Sequence, residues 1–218
     1  MNKKSLRLKV DFKNKLFLEF YGALLGNGWL SAYKCGKLKK RRWIIGFSGD
    51  IKKDREYIKR INKIVKRLFK REGYIKYKPK YGGIELNIGH KELIHLLNRK
   101  LNFPIGLKKN LKIDNKLLKD WNSTKYIIRG LFDTDGGLFF DKDKRYKKIY
   151  PIVDITTTSK ALIKQLVSIL KKHDFKVIEN YKGVRMKGES QMKRWFKEIQ
   201  PKNSRHVIKY KNYYKLPG

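Results

Sequence analysis

Residues 20–29 read FYGALLGNGW and residues 128–137 read IRGLFDTDGG. Gly22 aligns with Gly130, and Gly28 aligns with Gly136, with 108 residues separating the members of each pair in a chain of 218. Because one separation aligns both pairs and is close to half the chain length, we infer that the sequence contains two copies of one structural unit.

The patterns that follow the two copies are the same. After the first copy, the sequence predicts strands over 29–34 and 42–48, a helix with Ile58, Ile61, Ile64, Val65 and Leu68 on one face, strands over 74–78 and 84–88, and a helix over 91–100. After the second, it predicts strands over 138–141 and 149–156, a helix capped by Ser159, strands over 176–181 and 184–187, and a helix over 189–199. The predicted fold class is α+β, with two pseudo-symmetric halves that each read αββαββα.

We predict an N-terminal half over 1–102, a linker over 103–121 and a C-terminal half over 122–218. Pro104, Gly106 and several lysines interrupt the periodic pattern in the linker. The tail after Pro201 is basic and aromatic. For this tail, the sequence leaves open a packed segment and a disordered arm.

The charge balance indicates a polyanionic partner. Lys and Arg number 56 against 19 Asp and Glu, which gives a formal net charge of +37. Such self-repulsion disfavours a metabolic enzyme for a small neutral substrate. The sequence has no long apolar stretch, signal peptide or lipidation motif, so we expect nucleic acid rather than a membrane as the partner. The single cysteine, Cys35, suits a reducing compartment, and we expect a cytoplasmic protein.

Small residues are spaced four apart in both copies, at Gly22 and Gly26 and at Gly130 and Thr134. On a helix, this spacing places them on one face, so the two helices can approach each other closely. Each helix then ends at Asn27-Gly28 or at Asp135-Gly136. These pairs are ordinary turn residues by themselves. If the helices pair, however, the two ends lie side by side, and a divalent metal such as Mg²⁺ can compensate a carboxylate at the negative end of a helix dipole.

These two motifs resemble those of single-chain LAGLIDADG homing endonucleases, the archaeal type with GLLLGDG first and RGLFDTDG second. The resemblance covers nearly the whole chain. It implies saddle-shaped antiparallel sheets in the DNA major groove, with the two LAGLIDADG helices packed at the centre. It also implies acidic residues at the ends of these helices, which bind Mg²⁺ (or Mn²⁺ in its place) and cut both strands.

Carried over by position, Asp135 is the metal ligand of the second motif. The first motif has Asn27 where the family has an acidic residue, so metal affinity and double-strand cleavage should fall. Gly26 and Thr134, which precede these residues, complete the predicted ligand set. Asp133 has a different helical direction from Asp135 and is interpreted as a helix-end or packing residue.

The resemblance also implies lysines near the metal centre, and Lys53 and Lys160 are the candidates for a catalytic role. Strand alternation separates Glu85 and Asn87 from the apolar residues of one strand, and Arg185 and Lys187 from those of another. Groups of these types can hydrogen-bond to base edges. The full set of predicted DNA contacts is Ser31, Tyr33, Lys34, Arg42, Glu85, Asn87, Asp154, Thr156, Arg185 and Lys187.

The predicted function is therefore a monomeric endonuclease that binds a long asymmetric duplex DNA site and needs no membrane or obligate protein partner. Because Asn27 lacks a charge, a nickase or an inactivated form remains open. The alternatives are a non-cleaving DNA-binding protein or an intron RNA maturase on the same fold. A basic structural or ribosome-associated protein explains the net charge but not the duplicated motifs.

Overall fold

The computed structural model describes residues 8–36, 39–142 and 149–215. The start of the predicted N-terminal half, residues 1–7, and the end of the predicted C-terminal half, residues 216–218, lie outside the described residues. The elements of the first repeat are α1 (Lys15–Leu25), β1 (Gly28–Cys35), β2 (Lys40–Asp50), α2 (Arg55–Phe69), β3 (Tyr74–Lys78), β4 (Gly83–Gly89) and α3 (Lys91–Leu101).

The second repeat has the same order of elements. They are α4 (Trp121–Asp135), β5 (Gly136–Lys142), β6 (Ile149–Thr156), α5 (Lys160–Lys172), β7 (Val177–Asn180), β8 (Gly183–Lys187) and α6 (Glu189–Glu198). The predicted α+β class and the order of elements in both repeats are confirmed. The tail adds an eighth element to the second repeat, α7 (Ser204–Tyr213), so its described part is a helix and not a disordered arm.

The two repeats form two antiparallel four-stranded sheets with the same topology. Their strand orders are β1-β2-β4-β3 and β5-β6-β8-β7. Gly28 pairs with Phe47 at the start of the first hairpin, and Gly136 pairs with Ile155 at the start of the second. Each residue of the second pair lies 108 residues after its equivalent in the first pair, which is the separation between the two motifs. The register of the hairpins therefore supports a duplicated unit.

Helices α1 and α4 pack against each other at the centre of the molecule, along the small residues of the two motifs. A Cβ atom built on Gly22 would overlap the carbonyl of Ile127, and one built on Gly130 would overlap the carbonyl of Glu19. At Gly26, a Cβ atom would overlap the Thr134 hydroxyl. At Gly22 and Gly130, the contact is therefore backbone against backbone, which only glycine permits.

Helix α1 is buried on all sides, as its sequence requires. Its residues from Phe17 to Leu25 are all buried, and Glu19 is the one acidic residue among them. Arg60 donates to both Glu19 carboxylate oxygens, at 2.6 and 2.9 Å, and Arg129 lies 3.8 Å from the second oxygen. A buried carboxylate is tolerated only when it is paired in this way. These contacts connect α1 to α2 and to α4.

The stretch between the repeats packs against both of them, although it contains only one 3-10 turn (Asn115–Leu117). Phe103, Leu111 and Ile113 are buried in the common core. The backbone of Ile113 exchanges two hydrogen bonds with the side chain of Gln165 on α5. The linker limits at 103 and 121 remain predictions, but this stretch is held in a fixed position relative to α5.

Within the described residues, no helix has the length and apolar character needed to cross a membrane.

Replacing Gly130 with Ala tests the backbone contact. In an ordinary helix, replacing glycine with alanine raises the free energy of unfolding by up to about 1 kcal/mol. Here we expect it to lower the free energy of unfolding by at least about 1–3 kcal/mol, because the new methyl group meets a backbone that cannot rotate away. Gly89→Ala is the matched control, since a Cβ atom built on Gly89 would have nothing within 4 Å. Equal effects of the two changes in urea unfolding would contradict the packing described here.

Candidate functional site

The C-terminal ends of α1 and α4 meet, with the side chain of one reaching the backbone of the other. Helix α1 ends at Leu25 with Gly26 as its cap, and α4 runs to Asp135 with β5 beginning at the next residue. The Asn27 amide donates a hydrogen bond to the carbonyl of Thr134, with 3.4 Å between the atoms. The four predicted metal-binding positions, Gly26, Asn27, Thr134 and Asp135, are therefore brought together.

Neither motif helix has a basic residue in its last turn. Their unpaired carbonyls make these ends negative, and a cation is the favourable neighbour. Lys108, from the stretch between the repeats, supplies it for α1. Its ammonium donates to the carbonyl of Leu25 at 3.0 Å and to the carbonyl of Gly26.

Arg205, in the first turn of α7, supplies the cation for α4. Its guanidinium donates to the carbonyl of Thr134 at 2.6 Å and to those of Asp133 and Gly136 at 3.4 Å. It also forms an ion pair with Asp54 at 3.2 Å. Each motif helix is thus capped by a basic residue that follows the third helix of a repeat.

Asp135 is the only carboxylate of the four predicted ligands. It lies half-buried in a cleft of about 330 Å³, whose lining includes Lys108 and the segment 156–159. Burial raises the pKa of Asp135 from 3.8 to about 6, and the charges of Lys108 and Arg205 oppose this rise. The cleft therefore holds a carboxylate that is accessible from solvent and has two cations as neighbours.

Asp133 is fully buried and accepts hydrogen bonds from the backbone. The amides of Lys202 and Asn203 donate to its carboxylate at 2.8 and 3.0 Å. Burial raises the pKa of Asp133 to about 7, and these two N–H groups oppose the rise. The interpretation of Asp133 as a packing residue agrees with this geometry, because its carboxylate fixes the start of α7.

Asn203 joins the two repeats behind the cleft. Its amide nitrogen donates to the Asp54 carboxylate at 2.8 Å and to the Asp133 carbonyl at 2.9 Å, and its side-chain oxygen accepts from the Arg205 amide. Asp54 precedes α2 of the first repeat, whereas Asp133 lies on α4 of the second. The sequence patterns did not single out Lys108, Arg205 or Asn203. The absence of a basic residue from the last turn of either motif helix is the sequence signal that could have indicated distant caps.

The two predicted catalytic lysines are both exposed and do not occupy equivalent positions. Lys53 lies before Asp54, the residue that precedes α2, and its backbone amide donates to Asp50. Lys160 follows Ser159, the residue that caps α5. Ser159 lines the Asp135 cleft, so Lys160 lies next to the cleft wall in sequence. Their catalytic roles remain predictions.

One face of the first sheet carries five of the six contacts predicted on its strands. Tyr33 pairs with Arg42, and Asn87 pairs with Tyr74, while Glu85 receives a hydrogen bond from Lys78. Alternation along β1 places Ser31 on the face of Tyr33 and Lys34 on the other. The structure therefore separates Lys34 from the rest of this set.

On the second sheet, the predicted contacts form a connected group. Arg185 pairs across strands with Asp154, and its guanidinium donates to the Asp154 carboxylate at 2.6 Å. Thr156 donates to the other Asp154 oxygen at 2.9 Å. Lys187, two residues from Arg185, is exposed. Asp154 itself is buried, so it orients Arg185 and is not positioned to contact DNA directly.

The donors at the two helix ends fit a divalent cation unequally. Asp135 offers a carboxylate, whereas Asn27 offers one neutral oxygen and Lys108 already binds the Gly26 carbonyl. Among the described residues, no cluster of three or more His, Cys, Asp or Glu side chains is arranged as a metal site. A cation at Asp135 would therefore take further ligands from water or from a bound anion such as a phosphate.

His206 on α7 makes a contribution to stability that is lost in acid. Burial against Phe132 lowers the pKa of His206 to about 3, and Arg205 donates to its ring at 3.1 Å. The unfolded chain binds a proton at His206 below pH 6.5, and the folded one does not. Between pH 6.5 and 5, we expect His206 to cost about 2 kcal/mol of unfolding free energy.

His206→Gln keeps a hydrogen-bond acceptor and should remove this part of the pH dependence in urea unfolding. His173→Gln, at a half-buried histidine that stacks on Trp121 of α4, is the control for the substitution itself. An unchanged pH profile of His206→Gln would show that folding does not lower the pKa of His206, and it would contradict this prediction.

Comparison with known proteins finds a family match in the second repeat. Residues 122–208 match the family model described as LAGLIDADG-like domain. No curated protein matches the chain in sequence.

Solved structures match both repeats. The meganuclease I-SmaMI bound to uncleavable DNA shares 14% identity at a TM-score of 0.63, over 93% of this chain and 90% of its own. I-DmoI in complex with DNA and Mn shares 15% identity at a TM-score of 0.59, over 87% of this chain and 97% of its own. The LAGLIDADG meganuclease I-AabMI bound to uncleaved DNA shares 14% identity at a TM-score of 0.57, over 89% and 87%. At these identities, the similarity establishes a common fold.

Proposed function

We propose that the chain is a sequence-specific, metal-dependent DNA endonuclease of the LAGLIDADG type. The match of residues 122–208 to the LAGLIDADG-like domain model, and the two-repeat fold shared with DNA-bound meganucleases, support this proposal. The observation that carries this proposal is the junction of the two motif helices, where the Asn27 amide binds the carbonyl of Thr134 and the next residue, Asp135, places its carboxylate in a solvent-accessible cleft. The net charge of +37 and the polar faces of both sheets support duplex DNA as the substrate. The proposed enzyme acts as a monomer, since one chain supplies both helix ends.

The chemistry proposed is hydrolysis of a phosphodiester bond. Asp135 would hold Mg²⁺ or Mn²⁺, with the Asn27 amide oxygen as a weak ligand. Lys108, which lines the cleft, and Arg205 beside it would attract the DNA backbone. When bound, the metal supplies charge stabilisation for the phosphate and lowers the pKa of a coordinated water. Lys53 and Lys160 remain the proposed sources of further positive charge near the reacting phosphate.

Selection from a randomised duplex library tests the proposal. We expect one long asymmetric site to be enriched, and Mg²⁺ but not EDTA to give nicks or breaks within it. Strand-resolved analysis of the products then separates a nickase from an enzyme that cuts both strands. Binding without sequence preference would contradict the proposal and favour a general nucleic-acid-binding protein.

Substitutions at the helix ends test the roles of the two residues. On the selected duplex, Asp135→Asn should reduce cleavage about 100-fold or more and leave DNA binding intact, because it removes the one anionic ligand. Asn27→Asp should increase the total rate of cleavage, because it adds a second carboxylate at the helix junction. Glu179→Gln, at an exposed position of β7, is the control. Unchanged cleavage by Asp135→Asn would remove this residue from the reaction.

Arg185 is the proposed base-reading residue with the clearest geometry, since Asp154 holds its guanidinium in place. Arg185→Gln should change the preferred base at one position of the site, with a loss of about 1–3 kcal/mol there. Lys193→Gln on α6 should leave base preference unchanged. The same selection, repeated with each variant, measures both effects, and an unaltered site for Arg185→Gln would exclude base recognition by Arg185.

A second candidate function is DNA binding without cleavage, which the neutral Asn27 favours. In that case, the selected duplex stays intact with Mg²⁺ in the wild type, and Asn27→Asp makes it susceptible. Failure to enrich any duplex, together with binding of folded intron RNA in competition, would favour the maturase function.

A further inference from the structure

Lys108 has a position that neither the motif resemblance nor the proposed metal ligands explain. The loop that carries it is anchored at Gly106, whose amide donates to the carbonyl of Leu30 on β1 at 2.8 Å. Gly106 has a φ of +92°, a conformation that favours glycine. This anchor directs the next residues over the C-terminus of α1, where the Lys108 ammonium binds two backbone carbonyls.

The ammonium and a divalent cation would compete for the same oxygen atoms. A cation that bridged the helix ends on the α1 side would need the carbonyl of Gly26, because Asn27 offers no negative charge. That carbonyl already accepts a hydrogen bond from Lys108. Two cations this close repel each other strongly in a half-buried cleft.

The two helix ends differ in which oxygen atoms remain available to a metal ion once Lys108 or Arg205 has bound. On the α4 side, Arg205 binds backbone carbonyls and the carboxylate of Asp54, and it leaves the Asp135 carboxylate in the cleft. On the α1 side, Lys108 binds the backbone and no carboxylate of that helix end remains. Lys108 and the neutral Asn27 therefore give the C-terminal end of α1 a side-chain charge of +1.

We propose that Lys108 is the resident cation of the α1 half-site, where it takes the place of a second metal ion, so that the protein–DNA complex binds a single metal at Asp135 and cuts one strand. This inference rests on the proposed endonuclease function. It predicts that restoring the acidic residue at position 27 is not sufficient, because the new carboxylate pairs with Lys108. A second metal requires loss of the ammonium as well.

The first test needs no DNA. Acetylation of the whole protein, followed by mass spectrometry, measures the reactivity of each lysine. Lys108 should react several-fold more slowly than its exposed neighbour Lys109, because its ammonium is half-buried and hydrogen-bonded. Equal reactivity would overturn the inference whatever the protein binds.

The second test counts Mn²⁺ by electron paramagnetic resonance in the complex with the selected duplex. We expect one tightly bound ion for the wild type and for Asn27→Asp, and two for the double variant Asn27→Asp with Lys108→Met. In the double variant, the second ion should bind on the order of tenfold or more tightly than in Asn27→Asp. Only the double variant should cut both strands at comparable rates.

Two control variants separate charge from position. Combined with Asn27→Asp, Lys109→Met removes one neighbouring charge, and Lys108→Arg keeps a cation at the helix end. Both should retain one ion. Two ions in the wild type, or an equal count for the single and double variants, would overturn the inference. Absence of any selected duplex would instead contradict the proposed function and leave the acetylation result to decide the position of Lys108.

Discussion

The contact between the backbones of α1 and α4 is the constraint on which the rest of the structure depends. Gly22 and Gly130 each lie against a carbonyl of the opposite helix, so no side chain separates the two axes at these points. Because both helices enter the contact with the same motif, their C-terminal ends meet at one place. Each helix continues directly into the first hairpin of its own sheet, and the contact therefore also fixes the two sheets relative to the helix ends.

Bringing two helix C-termini together concentrates partial negative charge. Basic side chains that are distant in sequence compensate this charge. The compensating side chains come from segments that follow the third helix of each repeat, Lys108 for α1 and Arg205 for α4. The second of these segments is tied to the first repeat by Asn203 and Asp54. The helix ends are thus held by residues far away in sequence, and the same residues set the electrostatics of Asp135.

Much of the architecture could be predicted, because it depends on local patterns. Alternation and helical periodicity located the strands and helices of both repeats, and the four-residue spacing of small residues predicted the central helix pair. The helical tail could not be decided from its composition, since α7 forms where the buried Asp133 carboxylate holds the start of the helix. The same limit applies to Lys108, which is one of several lysines in its segment and is distinguished only by the loop geometry at Gly106.

For the sheet residues too, the sequence predicted which face a side chain lies on but not which neighbour it binds. Alternation identified Arg185 as outward-facing, but the partner that orients it, Asp154, is buried beneath it and was itself predicted as a DNA contact. Sequence patterns assign a residue to a face. They do not reveal whether its functional group is free or already bound to a neighbour.

The most direct test of the helix junction as the catalytic centre is a crystal structure of the complex with the selected duplex and Ca²⁺. We expect both sheets to lie along the duplex, one Ca²⁺ to bridge the Asp135 carboxylate and a backbone phosphate, and Lys108 still to bind the carbonyl of Gly26. A duplex bound on another surface, or helix ends that lie apart from the phosphates, would contradict the assignment of this junction as the catalytic centre.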